Sequence, residues 1–230
     1  MEIPALAKTA MQIILDRRSV RQFNPDPVPD EFLKLILEAG RQAPSGEDAQ
    51  PWRFIVVKDK ALIERLGHIS GRGSGRRFTG EFLTKKLDDR FKSLEDAAKR
   101  EAIYKKLTSG QVSSFVGRAP VVIAVCGKKD VWDMPYDTSA AMENMLLAIT
   151  ALGLGACWVI APCIDVRDET EMKSLLKVPD EVKVVSLIPL GWPPKIPGPR
   201  PRLPLTEICF LDTYGTPLPG VEAPGGGNDA

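Results

Sequence analysis

Two stripes of apolar residues at helical spacing open the chain. The first predicts a helix that ends before Arg17, and its members are Leu6, Ala10, Ile13 and Ile14. The second follows an N-cap candidate at Asp30 and consists of Phe32, Leu35, Ile36 and Ala39. One amphipathic helix is therefore expected between residues 30 and 40.

Short apolar runs further along the chain predict buried strands at residues 54–57, 120–126, 156–160 and 184–190. We expect the first to be buried on both faces, and Pro189 to weaken the end of the last. Residues 138–152 are apolar over most of a helical circumference, which predicts a helix in the core or at a subunit interface. Asp168, with Glu171 three residues on, is typical of a helix start.

The segment between the first two strands is less regular. Residues 62–69 predict a short helix, and the glycine-rich, basic residues 71–77 follow it. Arg76 stands where a Gly-x-Gly-x-x-Gly phosphate loop needs glycine, so a mobile basic loop is expected instead. Beyond Phe82 the chain is highly charged, with a helical stripe that predicts one packed and one solvated face: Leu87, Phe91, Leu94 and Ala98.

Composition excludes several classes of protein. The 230 residues carry a net charge of +1, so no global field favours nucleic acid or an anionic membrane. No apolar run approaches the roughly 20 residues of a membrane span, and no secretory signal opens the chain, so a cytoplasmic protein is expected. The four cysteines are widely spaced and His68 is the only histidine, which argues against a metal site and against His-dependent nucleophilic catalysis. A cofactor is the expected source of any chemistry.

Two polar clusters, residues 17–23 and residues 43–54, contain more polar residues than a hydrophobic core needs. If the first is extended, Arg17, Ser19 and Arg21 share one face while Val20 points away. Such a face suits a phosphate and a polarisable ring. Arginines in the last turn of a helix also cap its carbonyls, and this alternative has similar weight on the first cluster alone.

Together the clusters resemble the nitroreductase superfamily of FMN-dependent oxidoreductases. Arg17 to Arg21 match its Arg-x-Ser-x-Arg/Lys element, and residues 44–52 match its Pro-Ser-x-x-Asn-x-Gln-Pro-Trp element, except that Asp48 stands in place of Asn. The resemblance spans residues 13–211 outside a more individual middle region. It implies an α+β fold with a central mixed β-sheet flanked by helices, in an intertwined homodimer.

The resemblance also implies a division of the chain. Residues 1–212 would form one FMN-binding domain, with residues 66–115 as a candidate lid that shapes substrate selectivity. An ordinary pair of surface helices is an equal alternative for that segment. Residues 213–230 would form an extended or disordered tail.

The resemblance assigns roles residue by residue. Arg17, Ser19 and Arg202 would hold the phosphate and ribityl chain of FMN, and Arg21 would approach N1 and O2 of its ring. Residues 160–162 would lie beside the reactive N5, and the second cluster would reach the site from the partner subunit. The full set of expected cofactor-binding residues is Arg17, Arg18, Ser19, Arg21, Pro44, Ser45, Gly46, Asp48, Gln50, Ile160, Ala161, Pro162 and Arg202. No catalytic side chain is assigned, because the flavin carries the chemistry.

The implied activity is reduction of nitroaromatics, quinones or related small acceptors by NADH or NADPH in two half-reactions. Two alternatives remain. The amino-acid pattern at residues 17–21 and 43–46 also resembles the iodotyrosine deiodinase branch, which catalyses reductive dehalogenation. Residues 66–115 lack that branch's Glu-x-x-x-Tyr pattern. The second alternative is a protein module that binds flavin but has no catalytic turnover.

Overall fold

The computed structural model describes residues 2–221, and residues 222–230 of the expected tail lie outside them. The chain separates into two units, Met1–Pro197 and Gly198–Ala230. The helices of the first unit are α1 (Ala5–Asp16), α2 (Asp30–Arg41), α3 (Lys60–Leu83), α4 (Lys86–Arg90), α5 (Ala97–Thr108), α6 (Met134–Ala151) and α7 (Val166–Leu176), and its strands are β1 (Trp52–Val57), β2 (Val121–Lys128), β3 (Gly155–Ala156) and β4 (Val182–Gly191). The second unit contains one short helix, α8 (Leu205–Ile208), and a bridge between Phe210 and Pro217.

The sheet has the order β1-β2-β4-β3, with antiparallel pairing between neighbours. An isolated bridge between Ser19 and Ala156 at the β3 edge is parallel, whereas all strand pairs are antiparallel. The expected α+β architecture with a mixed sheet is confirmed. The expectation that β1 is buried on both faces is wrong. β1 is an edge strand, and only its end residues, Trp52 and Val57, are buried.

Two apolar cores lie on opposite faces of the sheet, because side chains alternate along each strand. On β2, Val122, Ala124 and Cys126 join one core, and the residues between them join the other. An irregularity in the β2–β4 register near Val125 shifts this alternation on β4. The first core packs against α3 and α7, and the second packs against α2 and α6.

Helix α3 corrects the largest error of the sequence-based prediction. Residues 71–77, expected as a mobile loop, lie within its 24 residues, and Gly71, Gly73 and Gly75 are all buried. A Cβ on Gly71 would lie 2.4 Å from the Gly110 carbonyl oxygen, and one on Gly67 would lie 2.5 Å from Gly117 Cα. These glycines let the helix approach neighbouring backbone closely, so packing offsets their poor helix propensity.

Three local predictions are also wrong. Asp30 is the first residue of α2 rather than its N-cap, and its carboxylate pairs with Lys58. Asp168 lies within α7, whose N-cap is Asp165, and its side chain is fully buried. Pro189 lies inside β4, and its carbonyl accepts from the amide of Cys157, so this position does not weaken the strand end.

The candidate lid is helical in part. α4 and α5 are separate short helices, so the predicted continuous stripe from Leu87 to Ala98 is wrong; of its members only Leu87 is buried. Tyr104 on α5 donates to Asp88 at 2.9 Å and stacks edge-on with Phe82 at 5.8 Å between ring centroids. This small aromatic cluster joins the helices of the candidate lid, residues 66–115. Across residues 2–221, no helix has both the length and the apolar character needed to cross a bilayer.

Candidate functional site

The first polar cluster is extended, as expected. α1 ends at Asp16, and beyond it the amide of Val20 donates to the carbonyl of Ala156 at 2.8 Å. Val20 is buried against Gly155, where an added Cβ would lie 2.6 Å from Val20 Cγ2. Because Val20 points inward, alternation along an extended chain places Arg17, Ser19 and Arg21 on the other side.

The two arginines of this face have different partners. Arg17 Nε lies 3.4 Å from the Glu143 carboxylate on α6. Arg21 donates to the Ser19 carbonyl at 3.2 Å, and its guanidinium lies 5.9 Å from the centre of the Phe115 ring. Both guanidinium groups retain donors for a further acceptor, since each can donate five hydrogen bonds.

Arg18 does not share this face. Its guanidinium donates to the carbonyls of Leu15 and Arg17, and it lines a separate cavity of about 380 Å³ together with Val20 and Gly155. Its Nε is buried without a hydrogen-bond partner among the described residues. The structure therefore places the Arg18 side chain behind the strand rather than beside Arg17 and Arg21.

A buried thiol, which the sequence did not single out for this site, lies beside the same strand. Burial raises the pKa of Cys157, whereas the positive charge of Arg21, a hydrogen bond with Ser19 and the charge of Arg17 act in the opposite direction. Cys157 follows Ala156, the residue to which the strand is bridged. The period-two alternation that singled out the arginines carries no information about Cys157, which follows β3 far along the chain.

The second polar cluster forms a tight, strained loop. Glu47, Asp48 and Gln50 have φ values of 51°, 55° and 43°, the left-handed region that non-glycine residues seldom adopt. Its internal hydrogen bonds run from the Gln50 amide to Ser45 Oγ at 3.1 Å and from Gln50 Nε2 to Asp48 Oδ1 at 2.7 Å. Asp48 is thus held by Gln50, and it forms no ion pair with Arg21 or Arg53 in the described structure.

One aspartate on α6 holds this loop from 91 residues away and a second, just before α6, lies close to it; the sequence did not reveal either. Asp137 is 6% exposed, and its Oδ1 accepts the Gly46 amide at 3.1 Å. Its Oδ2 is buried with no hydrogen-bond partner in residues 2–221. A Cβ on Gly46 would lie 2.7 Å from Asp133 Oδ2, so glycine lets the loop approach these carboxylates.

The third element is the segment Ile160 to Pro162, which begins a 3-10 helix after β3. Ile160 is exposed, whereas Ala161 and Pro162 are buried. Gly73 of α3 packs directly against them, since its Cβ would lie 2.9 Å from the Ala161 carbonyl oxygen and 3.0 Å from Pro162 Cα. Residues 71–77 of α3 therefore pack against this segment and support it.

The same stretch of α3 carries a buried ion-pair cluster. Arg72 Nε and Arg76 Nη1 lie 2.9 Å and 2.6 Å from the two oxygens of Asp168, which is 0% exposed. Arg72 also pairs with Glu171 at 2.5 Å. This cluster joins α3 to α7, so the glycine-rich, basic stretch serves packing.

Within one chain, no hydrogen bond or ion pair of the described residues joins the first polar cluster to the second. Both contact α6, the first through Glu143 and the second through Asp137. At 3.6 residues per turn, positions six residues apart point in directions about 120° apart. The two clusters therefore meet different sides of this helix. Arg202 lies in the second unit, where it is exposed.

Comparison with known proteins decides the family. The model of the Nitroreductase family matches residues 14–192. The chain belongs to the nitroreductase family. A protein of Archaeoglobus fulgidus, provisionally named an NADH dehydrogenase/NAD(P)H nitroreductase, is 30% identical over 80% of this chain and 84% of its own.

Two further relatives of the nitroreductase family are informative. The iodotyrosine deiodinase of Thermotoga neapolitana is 28% identical over 84% of this chain and 91% of its own length. The structure of a nitroreductase with bound FMN from Bacteroides fragilis matches with a TM-score of 0.59 and 26% identity, covering 84% of this chain and 93% of that one. The expected fold and the expected oxidoreductase family are confirmed, and the names of these relatives agree with the expected cofactors.

The residues present fit an FMN phosphate. Arg17, Ser19 and Arg21 offer guanidinium and hydroxyl donors on one side of a strand held rigid by its bridge to Ala156. Guanidinium forks match phosphate oxygens in geometry and charge. The nearby Glu143 carboxylate occupies only part of the donor capacity of Arg17.

Proposed function

We propose that this protein is an FMN-dependent oxidoreductase that uses NADH or NADPH to reduce small acceptors such as nitroaromatics and quinones. The observation that carries the proposal is the extended strand at residues 17–21, pinned at Val20 so that two arginines and a serine face one way. Family membership over residues 14–192 gives this arrangement its chemical context. When bound, the flavin supplies a ring that takes up hydride from the nicotinamide and passes electrons to the acceptor.

The proposed roles of the chain's own residues follow from their positions. Arg17 and Ser19 would bind the phosphate and ribityl chain, and Arg21 would stabilise negative charge that gathers on the ring. The backbone of Ile160, Ala161 and Pro162 would form one wall of the flavin site. Its packing against Gly73 keeps that backbone rigid.

We also propose that the site is completed by a second copy of the chain. The loop of residues 44–50 meets α6 on a different side from Arg17, which supports delivery of Ser45, Asp48 and Gln50 to the partner's flavin. Helix α1 supports the same proposal, because none of its residues is buried and its apolar side chains are exposed, including Leu6, Met11 and Leu15.

One experiment tests the proposed function directly. The purified protein is denatured to release its flavin, which is identified by chromatography, and the native protein is titrated anaerobically with NADH and NADPH. We expect FMN, bleaching by at least one nicotinamide, and recovery of the flavin absorbance on addition of a quinone. FAD, or no flavin after reconstitution, contradicts the proposal. Bound FMN without turnover on any nicotinamide and acceptor identifies a flavin-binding module.

Reductive dehalogenation is the second candidate, supported by the likeness to the iodotyrosine deiodinase of Thermotoga neapolitana. That branch holds a zwitterionic substrate with Glu, Tyr and Lys from its lid. Here Tyr104 is bonded to Asp88, and Glu101 pairs with Lys105 at 2.8 Å. These side chains stabilise the candidate lid itself, so we rank deiodination below nitro or quinone reduction. Release of iodide from 3-iodotyrosine under reducing conditions would reverse that order.

A further inference from the structure

Two large aromatic side chains are exposed at the start of α6. Trp132 is 93% exposed and Tyr136 is 75% exposed, one helical turn apart in the chain, whereas Met134 and Asp137 between and beside them are buried. The inward residues anchor this turn, so the two rings stand on its outer side. Exposed aromatic groups on a rigid element are a recurrent sign of a contact surface.

The surroundings of these rings are acidic. Asp133 lies between them in sequence, and its carboxylate faces Gly46, which places the exposed Glu47 and Asp48 at the same surface. Arg53 donates to the carbonyl of Gln50 and contributes one opposing charge. With the exposed Lys128, Lys129 and Asp130, which precede Trp132, the count is four carboxylates against three cationic side chains, a negative excess of one, and the faces of aromatic rings also attract cations.

A hydrogen bond connects this surface to the second polar cluster and thereby relates it to the proposed reaction. The Gly46 amide is bonded to Asp137, so the loop of residues 44–50 is held to the turn of α6 that carries Tyr136. If that loop approaches the partner's flavin, as the proposed function requires, the aromatic surface lies at the entrance through which an acceptor reaches it.

We propose that Trp132, Tyr136 and the carboxylates of Glu47, Asp48 and Asp133 form a docking surface for planar organic cations that act as electron acceptors. The inference rests on the proposed function. For a phenothiazinium dye such as methylene blue, the cation takes up one hydride equivalent, two electrons and one proton, and becomes its neutral leuco form. NADH loses that hydride and becomes NAD⁺.

The test compares methylene blue with dichlorophenolindophenol, a planar acceptor that is an anion at neutral pH. Each is assayed with the NADH-reduced protein, and binding of methylene blue without NADH is followed by equilibrium dialysis. In Trp132→Leu/Tyr136→Leu, the ratio of KM for the cation to KM for the anion should rise about tenfold, the size of one to two cation–π contacts. The double Phe variant, Trp132→Phe/Tyr136→Phe, keeps both ring faces and should keep the ratio within about threefold of the original.

Asp133→Asn should raise the same ratio and weaken its dependence on salt, because screening acts on exposed charges. An unchanged ratio and unchanged dialysis binding in the Leu variant overturn the proposal. Loss of the dimer in that variant also overturns it, by assigning the two rings to the subunit interface. If the proposed function fails and nothing turns over, dialysis with the Leu and Phe variants still decides whether the surface binds the cation.

Discussion

At the scale of single residues, Arg17 and Arg21 are expected to do different work although they share one face. Arg17→Ala should weaken FMN affinity by roughly tenfold or more, since a charged hydrogen bond contributes about 1.5–3 kcal/mol. Arg21→Ala should chiefly lower the flavin reduction potential, because its guanidinium stabilises charge that gathers on the ring. Fluorescence titration of FMN and potentiometry measure the two effects.

Glu143→Gln is the control for this pair of variants. It removes the carboxylate 3.4 Å from Arg17 while keeping a similar shape, so it should not weaken FMN affinity. Equal losses of affinity in both arginine variants, with the potential unchanged, would show that their roles are not divided in this way.

Asp48 poses a separate question, because an ionised carboxylate would lie near a ring that becomes more negative on reduction. Its Oδ1 accepts from Gln50 Nε2, a bond that Asn can reproduce, so Asp48→Asn should keep the loop while removing the charge. The potential should then rise, by about 30 mV for each 1.4 kcal/mol of repulsion relieved in a two-electron couple. A potential that stays in place, in a variant that binds FMN fully, would put this carboxylate away from the ring.

Asp137 is a positioning residue for the strained loop. Asp137→Ala removes the acceptor of the Gly46 amide and should destabilise the protein by about 1–3 kcal/mol, while Asp137→Asn keeps an acceptor and should cost less. Hydrogen exchange at Gly46 distinguishes a local from a global effect, because only the Ala variant should expose this amide. If Gly46 exchanges at the same rate in both variants, the loop is held by its internal bonds alone.

At the scale of secondary-structure elements, the sequence predicted those whose stability is local. The helical stripe of α2 and the apolar runs of β2 and β4 are visible in the sequence itself, and these elements were placed correctly. Helix α3 could not be predicted through residues 71–77, because its glycines are explained only by backbone that lies far along the chain at Gly110, Gly117 and Ala161. Its arginines are likewise explained by Asp168, more than ninety residues on.

The candidate site shows the same division. Alternation alone placed Arg17, Ser19 and Arg21 on one face, since the extended conformation is set within five residues. The anchor of the second cluster is Asp137, whose role depends on how α6 packs against the loop. Period and composition contain no such information, so this residue was missed.

Two glycines of α3 provide a matched test of close packing. Gly73→Ala would place a Cβ 2.9 Å from the Ala161 carbonyl oxygen, so we expect a loss of about 1–3 kcal/mol of stability and a shifted flavin absorption band, because Ile160 to Pro162 must move. Gly80→Ala meets nothing within 4 Å and should stabilise the helix by about 0.5–1 kcal/mol. Thermal unfolding and visible spectra of both holoproteins check this. A Gly73→Ala variant as stable as Gly80→Ala, with an unchanged spectrum, would contradict the proposed support of that segment.

At the scale of the whole molecule, the apolar helix that was expected in the core or at a subunit interface packs in the core of one chain. α6 turns Met142, Met145 and Ile149 into the core between α2 and the sheet, so its apolar character is largely explained within one chain. α1 is an apolar helix left without cover, since none of its residues is buried and it exposes large apolar side chains such as Met11 and Ile14. The uncovered face therefore shifts the expected subunit contact towards α1, which leads directly into Arg17.

This position links assembly to cofactor binding, and a pair of variants tests the link. Met11→Glu/Ile14→Glu puts two charges on one exposed apolar side of α1 and should dissociate the proposed homodimer, because burying an unpaired carboxylate is strongly unfavourable. FMN affinity should fall with it, since the loop of residues 44–50 would no longer reach a partner's site. Thr9→Glu, a charge introduced at an exposed position on the opposite side of the same helix, should leave both properties unchanged. Light scattering and flavin titration measure them together, and a wild-type monomer that binds FMN fully would show that one chain builds the site alone.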